Sequence, residues 1–576
     1  MLSYAFTFML IELADSISMV IDGLLVSRHL GPTELAATGL GDTSFMMVSL
    51  CCGVLAVGIQ SVCSAAMGAG NSKKTSAVFS SGCITAAAVA AVLTALSYLL
   101  LRPLCILFGA DGSDPLLYQS LYDYLKGWFV GIPGFIGFTV LSPIVTLDGN
   151  KKCVTAATVL QSAVNIVGDY LSVTTLNLGT FGVGFFTGFG FDLALVVLIL
   201  NFLRKRSAFR FSLRMPDLAV LKDVLKVGTP RLTKGACKML APLLINRTII
   251  AIGGSSAMAA MAVKSCIGNF CLVAGSGIAE SVSLLSQVFY GEKDKQSLQQ
   301  TAAAALTADV VSGVVFSVIL AVAAVPLAGL YLARGSLEHG MAVTMLRMLA
   351  LSLTIYGVNA AVLSYLQGTR KILPTHMQTV SHRLLFLALC TFVLGRLFGI
   401  NGLFAAIPIS ELLVLVTYTI IALISGHGKS TVDSLMLLPD QFGCQPEDSL
   451  SFSVTTMEEV VGISEQVNTF CKAHGIDRRR AYYASLCLEE LAGNVVDHGF
   501  KKDNKTHSCD VRVMIEDDDI VLRIRDDCRY FNLKERYDAM NQTDIAANVG
   551  IRLVYGIAKD INYVNLLNTN TLIIRV

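Results

Sequence analysis

Two sets of residues in this chain have the types and spacing to do chemistry. The first lies in stretches that are otherwise apolar. Glu12, Asp15 and Asp22 recur at i, i+3 and i+10, close to one face of a helix, and Asn165 and Asp169 are i, i+4 neighbours on another. Carboxylates beside amide oxygens suit a hard cation or an exchangeable proton. A charge inside a hydrocarbon core is expensive, so each needs a function or a partner. The competing reading is polar glue between helices. The second set is Glu490, Asn494 and His498, at four-residue steps along one helical face of Leu486–Gly499. That pattern alone is common on solvated faces. Here Arg525-Asp-Asp-Cys528 follows a strand pattern, and Asn548-Val-Gly-Ile-Arg-Leu553 opens an apolar helix.

The elements that must position these residues differ sharply along the chain. Apolar residues make up 54% and charged ones 15%, with a mean hydropathy of +0.63. Repeated apolar runs of about 20 residues match a bilayer core, not a soluble one. Twelve spans are expected: 3–27, 38–66, 76–101, 120–147, 153–175, 181–203, 223–251, 257–288, 298–328, 341–367, 374–396 and 402–425. One set of loops is basic, with Lys73/Lys74, Lys151/Lys152, the run Arg204, Lys205, Arg206, Arg210 and Arg214, then Lys293/Lys295 and Arg370/Lys371. The other set holds little beyond Arg28, Arg334 and Arg396, and includes the acidic stretch Gly109–Asp114. Positive loops stay inside, so both termini are expected in the cytoplasm. Residues 450–576 then read as a soluble domain of strands at 450–454, 511–515, 520–524 and 571–575 and helices at 457–474 and 478–499.

A net charge of +2 gives no reason to expect nucleic acid as a partner. The 15 cysteines show no CxxC pair and no zinc spacing, so neither a disulfide framework nor a zinc site is expected. The N-terminus does not read as a cleavable signal peptide, because a basic leader is missing and Glu12 and Asp15 interrupt the apolar run. Gly31–Leu40 parallels Gly254–Val263, Gly70–Lys74 parallels Gly291–Lys295, and Asp148–Lys152 parallels Gln367–Lys371. An offset of six spans gives two halves of the same orientation, hence two bundles facing a central cleft.

Val20–Arg28, Gly31–Ala37, Met67–Asn71 and Leu147–Asn150 together resemble the multidrug and toxic compound extrusion (MATE) transporters over residues 1–425. The resemblance implies a Na⁺- or H⁺-driven antiporter that exports amphipathic small molecules across a bacterial-type plasma membrane. It also implies a cation site made by Asp22, Asn165, Asp169 and Thr187. Glu280 and Lys264, in the eighth span, each either pair with some other group or line the cleft. Lys234 and Lys238, at i, i+4, either suit an anionic substrate or lie near the cytoplasmic mouth.

Residues 450–576 resemble the GHKL ATPase superfamily, particularly its anti-sigma-factor serine-kinase branch, with an α/β-sandwich fold. The resemblance implies Mg²⁺ ligation by Asn494, a catalytic or orienting Glu490, and an adenine contact from Asp526. It places His498, Gly550 and Arg552 in the same nucleotide site, and a small cytosolic protein as partner. Cys528 and Arg552 depart from the usual glycines. A histidine-kinase reading is weaker, since His427 sits in a Gly-rich linker. The expected organisation is residues 1–205 and 206–428 as two six-helix bundles, 429–449 as linker and 450–576 as the ATP-binding domain. The leading function is coupled export with a cytoplasmic ATP-binding regulatory module. The alternatives are a lipid or lipid-linked saccharide flippase and a sensor-kinase that moves nothing.

Overall fold

The computed structural model describes residues 2–69, 71–110, 114–202, 209–212, 217–426, 430–439, 442–444, 446–500, 507–516, 519–529, 537, 549–566 and 569–576. Asp111, Arg204, Lys205, Arg206, Arg214, His427, Asn548 and the Asp15 side chain lie outside the described residues.

The first half of the membrane region holds α1 (Leu2–His29), α2 (Pro32–Gly68), α3 (Ser72–Leu99), the short α4 (Leu101–Leu107), α5 (Pro115–Trp128), α6 (Ile132–Leu147), α7 (Lys151–Thr174) and α8 (Gly179–Phe202). The second half holds α9 (Leu218–Gly291), α10 (Lys295–Ala328), α11 (Leu337–Gly368), α12 (Ile372–Val380) and α13 (Phe386–Ser425). Among the described residues nine helices are long and apolar enough to cross a membrane. Gly254 bends α9 into two of these, and Gly399 bends α13, so Ile372–Ser425 serves as two crossings. The charged and polar α1 and α7, of 28 and 24 residues, bring the bundle to the expected twelve.

The repeat is written in the backbone. Left-handed turns at Gly31, Gly149 and Gly179 recur at Gly254, Arg370 and Gly399, with the offset of roughly 220 residues seen in the sequence. Helix starts agree: Asn71 and Asp294 each accept a hydrogen bond from the backbone N–H three residues on.

The two bundles meet where α2 crosses the ends of α9. Gly58 abuts the Val224 carbonyl, Gly228 abuts Val54, Gly68 abuts Val288 and Gly291 abuts Ala65; a Cβ at any of them would strike backbone. Ser64 Oγ donates to Gln287 Oε1 at 3.1 Å across the same seam. Glycine is required there because the backbones themselves are in contact.

The soluble domain is one antiparallel sheet of β1 (Ser449–Val454), β2 (Cys509–Glu516), β3 (Asp519–Asp526), β4 (Asp560–Leu566) and β5 (Thr569–Arg575), in the order β1-β2-β3-β5-β4. Four of these strands match the sequence expectation; β4 is an addition. Val511, Val513, Leu522, Ile524 and Ile574 point from one sheet face into a core with α15 (Met457–Ala473) and α16 (Arg478–Asn494). A Thr456–Glu459 capping box starts α15 and Asp477 caps α16. A strap, α14 (Thr431–Met436) and the residues after it, packs on the second bundle: the Tyr365 hydroxyl donates to the Met436 carbonyl at 3.1 Å, and Tyr290 stacks on Phe442.

Candidate functional site

In the first bundle, Gly168 of α7 faces the Phe186 ring and Gly182 of α8 faces Ser172, so α7 and α8 lie close together. That approach sets Asn165 and Asp169 against Thr187. Asn165 Nδ2 donates to Asp169 Oδ2 at 3.3 Å and to Thr187 Oγ1 at 3.1 Å. Asp22 of α1 lies within hydrogen-bond reach of both Asp169 and Asn165. The structure thus brings all four expected residues together. Asp169 is fully buried and Asn165 nearly so. One carboxylate oxygen of Asp22 and one of Asp169 are buried without a hydrogen-bond partner. Two carboxyls in contact need a proton or a cation between them, and these orphaned oxygens are where one would sit.

Sequence reading missed the groups around this cluster. Asp42 of α2 and Tyr124 of α5 stand within electrostatic range of Asp22, and Tyr124 also of Asp169. They lie on separate helices, so no spacing announced them. Glu12 does not join the cluster. It faces Glu280, Lys234, Arg231 and Lys238 instead.

The second bundle has its own polar network, also unread in the sequence. Asn359 Nδ2 donates to Glu411 Oε2 at 2.8 Å, and His382 Nε2 approaches the same oxygen at 3.0 Å. Arg383 and Lys264 lie within electrostatic range of Glu411.

In the soluble domain, Glu490 and Asn494 end α16 on its half-exposed side, while Leu488, Leu491 and Ala492 enter the core. The helix continues through a wide turn, Val495–Gly499, which leaves His498 exposed. Gly550, near the start of α17 (Val549–Ile557), lies against the Glu490 carboxylate, where a Cβ would collide with Oε2. Asp526 closes β3. Its Oδ1 accepts from the Cys528 N–H at 2.9 Å and from Asn570 Nδ2 at 2.8 Å. Burial pushes the Asp526 carboxyl up, against the pull of those donors. Cys528, in place of a glycine, keeps an ordinary negative φ and sets its thiol against Gly499, which supplies the missing space. A carboxylate at a strand end, an acid and an amide one turn apart, and a glycine facing the acid are a donor set that fits a magnesium nucleotide. Arg552 follows Gly550 on the same helix, and its Nε is buried.

The outer sheet face carries a feature with no counterpart in the sequence expectation. Arg512 of β2 and Arg523 of β3 are direct cross-strand partners, an arrangement of like charges that is unfavourable by itself. Asp294, the cap of α10, bridges them, with Oδ1 2.6 Å from Arg512 Nη1 and Oδ2 2.6 Å from Arg523 Nη2. Glu292 accepts from Arg523 at 3.0 Å and from Arg525. All five side chains are largely buried. Burial would push the Asp294 carboxyl up, but the Arg523 and Arg512 guanidiniums outweigh it and hold it well below the usual carboxylate range.

These helices and this sheet have relatives. Residues 8–171 and 234–392 match the MatE family, and 454–576 match the histidine kinase-like ATPase domain. The chain is 29% identical over 229 residues to a probable multidrug resistance protein NorM of Pseudomonas aeruginosa, covering 37% of this chain and 45% of that protein. It is 24% identical over 292 residues to the corresponding Pseudomonas putida protein, covering 49% and 61%. It thus spans less than two thirds of either relative. A MATE transporter in complex with MaL6 superposes with a TM-score of 0.67 at 21% identity, over 72% of this chain and 93% of that one. An outward-facing multidrug resistance MATE transporter gives 0.66 at 21%, over 72% and 92%. The chain is a multi-pass membrane protein of the MATE family, carrying a C-terminal ATPase domain of the GHKL type.

Proposed function

We propose that the membrane region is a cation-coupled antiporter that exports amphipathic small molecules. The observation that carries this reading is the buried contact of Asp22 with Asp169, braced by Asn165 and Thr187 and holding two carboxylate oxygens without partners. A Na⁺ or a proton would occupy that gap, and its arrival would alter how α1 meets α7. The seam at Gly58, Gly68, Gly228 and Gly291 closes the cleft at the end that bears the soluble domain, which supports reading this as the state that would open the other way. With both termini cytoplasmic, as the loop charges favour, this state faces outward.

The soluble domain is read as a Mg²⁺–ATP-binding regulator. Asn494 would hold the metal, Asp526 the adenine amino group, and Gly550 with Arg552 the phosphates, with His498 at the rim. Bound Mg²⁺–ATP would supply a transferable phosphoryl group, and Glu490 would orient or deprotonate the acceptor, a serine of a small cytosolic protein by analogy with the serine-kinase branch. The clamp of Arg512, Arg523 and Arg525 on Glu292 and Asp294 supports regulation in cis, because it fastens the domain to the loop before α10.

Whole-chain proteoliposomes under an imposed sodium or proton gradient, with and without ATP, test both parts. Gradient-driven counterflow whose rate changes with ATP is expected. Flux without any gradient dependence would overturn the coupling, and flux indifferent to ATP would overturn the regulation.

A further inference from the structure

The cleft floor carries an unusual excess of positive charge. Arg231 and Lys234 of α9 line a cavity between the bundles, with Gln60 of α2, Glu280 of α9 and Gln367 of α11. Val57 and Leu363 give it an apolar wall. Gly53 leaves room for the Arg231 stem, whose Cγ lies 2.9 Å from where a Cβ would stand. Arg231 therefore crosses from the second bundle onto the first. Lys238 stands one helical turn beyond Lys234.

The opposing charges do not cancel these. Glu12, Glu280 and Arg383 are within electrostatic range of Lys234, and Lys238 is within range of Glu12. Among the described residues, however, none of Arg231, Lys234, Lys238, Glu12 and Glu280 forms a direct ion pair. Three cations, Arg231, Lys234 and Lys238, face two carboxylates, Glu12 and Glu280. Lys264 lies within electrostatic range of Glu411 instead. Cationic side chains inside a bilayer are costly unless something neutralises them, and a hydrogen-bonding cavity that touches both bundles is where a transported molecule must be held.

We infer that this cavity binds the anionic head group, carboxylate or phosphate, of an amphipathic substrate, gripped by Arg231 and Lys234 from one bundle and Gln60 from the other. A guanidinium beside an ammonium matches such oxyanions in charge and donor geometry. The apolar wall takes the tail. A cationic amphiphile would meet Arg231, Lys234 and Lys238 and be disfavoured.

This inference deepens the carrier reading and rests on it, but its test needs no ion gradient. The full chain in nanodiscs is titrated with dansyl-labelled undecanoate and with a matching quaternary-ammonium probe, empty nanodiscs being subtracted. The undecanoate should bind at least about tenfold more tightly, and Lys234→Gln should weaken it by about tenfold or more. Because binding is read without flux, retained binding beside absent gradient-driven flux overturns the coupling alone, and absent binding beside gradient-driven flux overturns the substrate assignment alone. Displacement by lysophosphatidate but not by inorganic phosphate identifies a lipid head group; the reverse identifies a free anion. Equal or tighter binding of the cationic probe, or undiminished binding by Lys234→Gln with a normal melting temperature, overturns the inference.

Discussion

The two bundles share a fold but handle their buried acids in opposite ways. In the first, Asp22 and Asp169 contact each other and Asn165, and one oxygen of each is left without a partner. In the second, Glu411 is met by His382 and Asn359, with Arg383 and Lys264 close by. An acid neutralised by fixed cations has no vacancy for a mobile one. On the proposed reading, the duplicated architecture would leave ion exchange to one half and internal bracing to the other.

Breaking the first half should have the largest effect. Asp169→Asn is expected to reduce gradient-driven flux to the background of empty liposomes while the protein still inserts and melts normally; retained flux would remove the asymmetry. Glu411→Ala should do the reverse. It strands His382 and Arg383 and should cost about 3–5 kcal/mol of stability, the usual loss when one member of a buried pair is removed. Flux per folded molecule should hold.

The soluble domain extends the comparison, since it grips the second bundle through charge. Asp294→Ala leaves Arg512 opposite Arg523 with nothing between them, so proteolysis in the strap after Met436 should accelerate about tenfold. Because the Asp294 carboxyl is held below its ordinary range, its contribution to docking is complete above the ordinary carboxylate pKa, about 3.9. It fades only as the pH falls through the lower, docked value. Protection of the strap should therefore be flat from neutrality to about pH 5. The smallest effect on transport belongs to Asn494→Ala, which should lower Mg²⁺–ATP affinity by at least about tenfold in calorimetry while leaving ATP-free flux intact.

Asn165 with Asp169, and Glu490 with Asn494, were legible because each pair sits one helical turn apart, so local spacing already puts them on one face. Thr187 came only through family resemblance. Glu411, His382 and Asn359 come from three separate helices, and nothing in a linear sequence says which turns will meet. Most of the crossings followed from hydropathy, yet the left-handed Arg370 could not, since it occupies a turn where its counterpart is Gly149. β4, Asp560–Leu566, was passed over because Asn562 and Asn565 interrupt the apolar alternation. The clamp was invisible for another reason: arginines on an outer sheet face look like ordinary solvated charge until their acidic partners, more than two hundred residues away, are placed beside them.

Gly291 touches Ala65 across the seam, and the next residue, Glu292, is held by Arg523 and Arg525. Two adjoining links of one backbone thus serve the seam between the bundles and the ATPase domain. Whatever free energy ligand binding to the domain adds to or takes from closure of that seam, closure must return in equal measure to ligand affinity, so in the proposed carrier the tightness with which this domain holds its ligand would read out which way the membrane half faces.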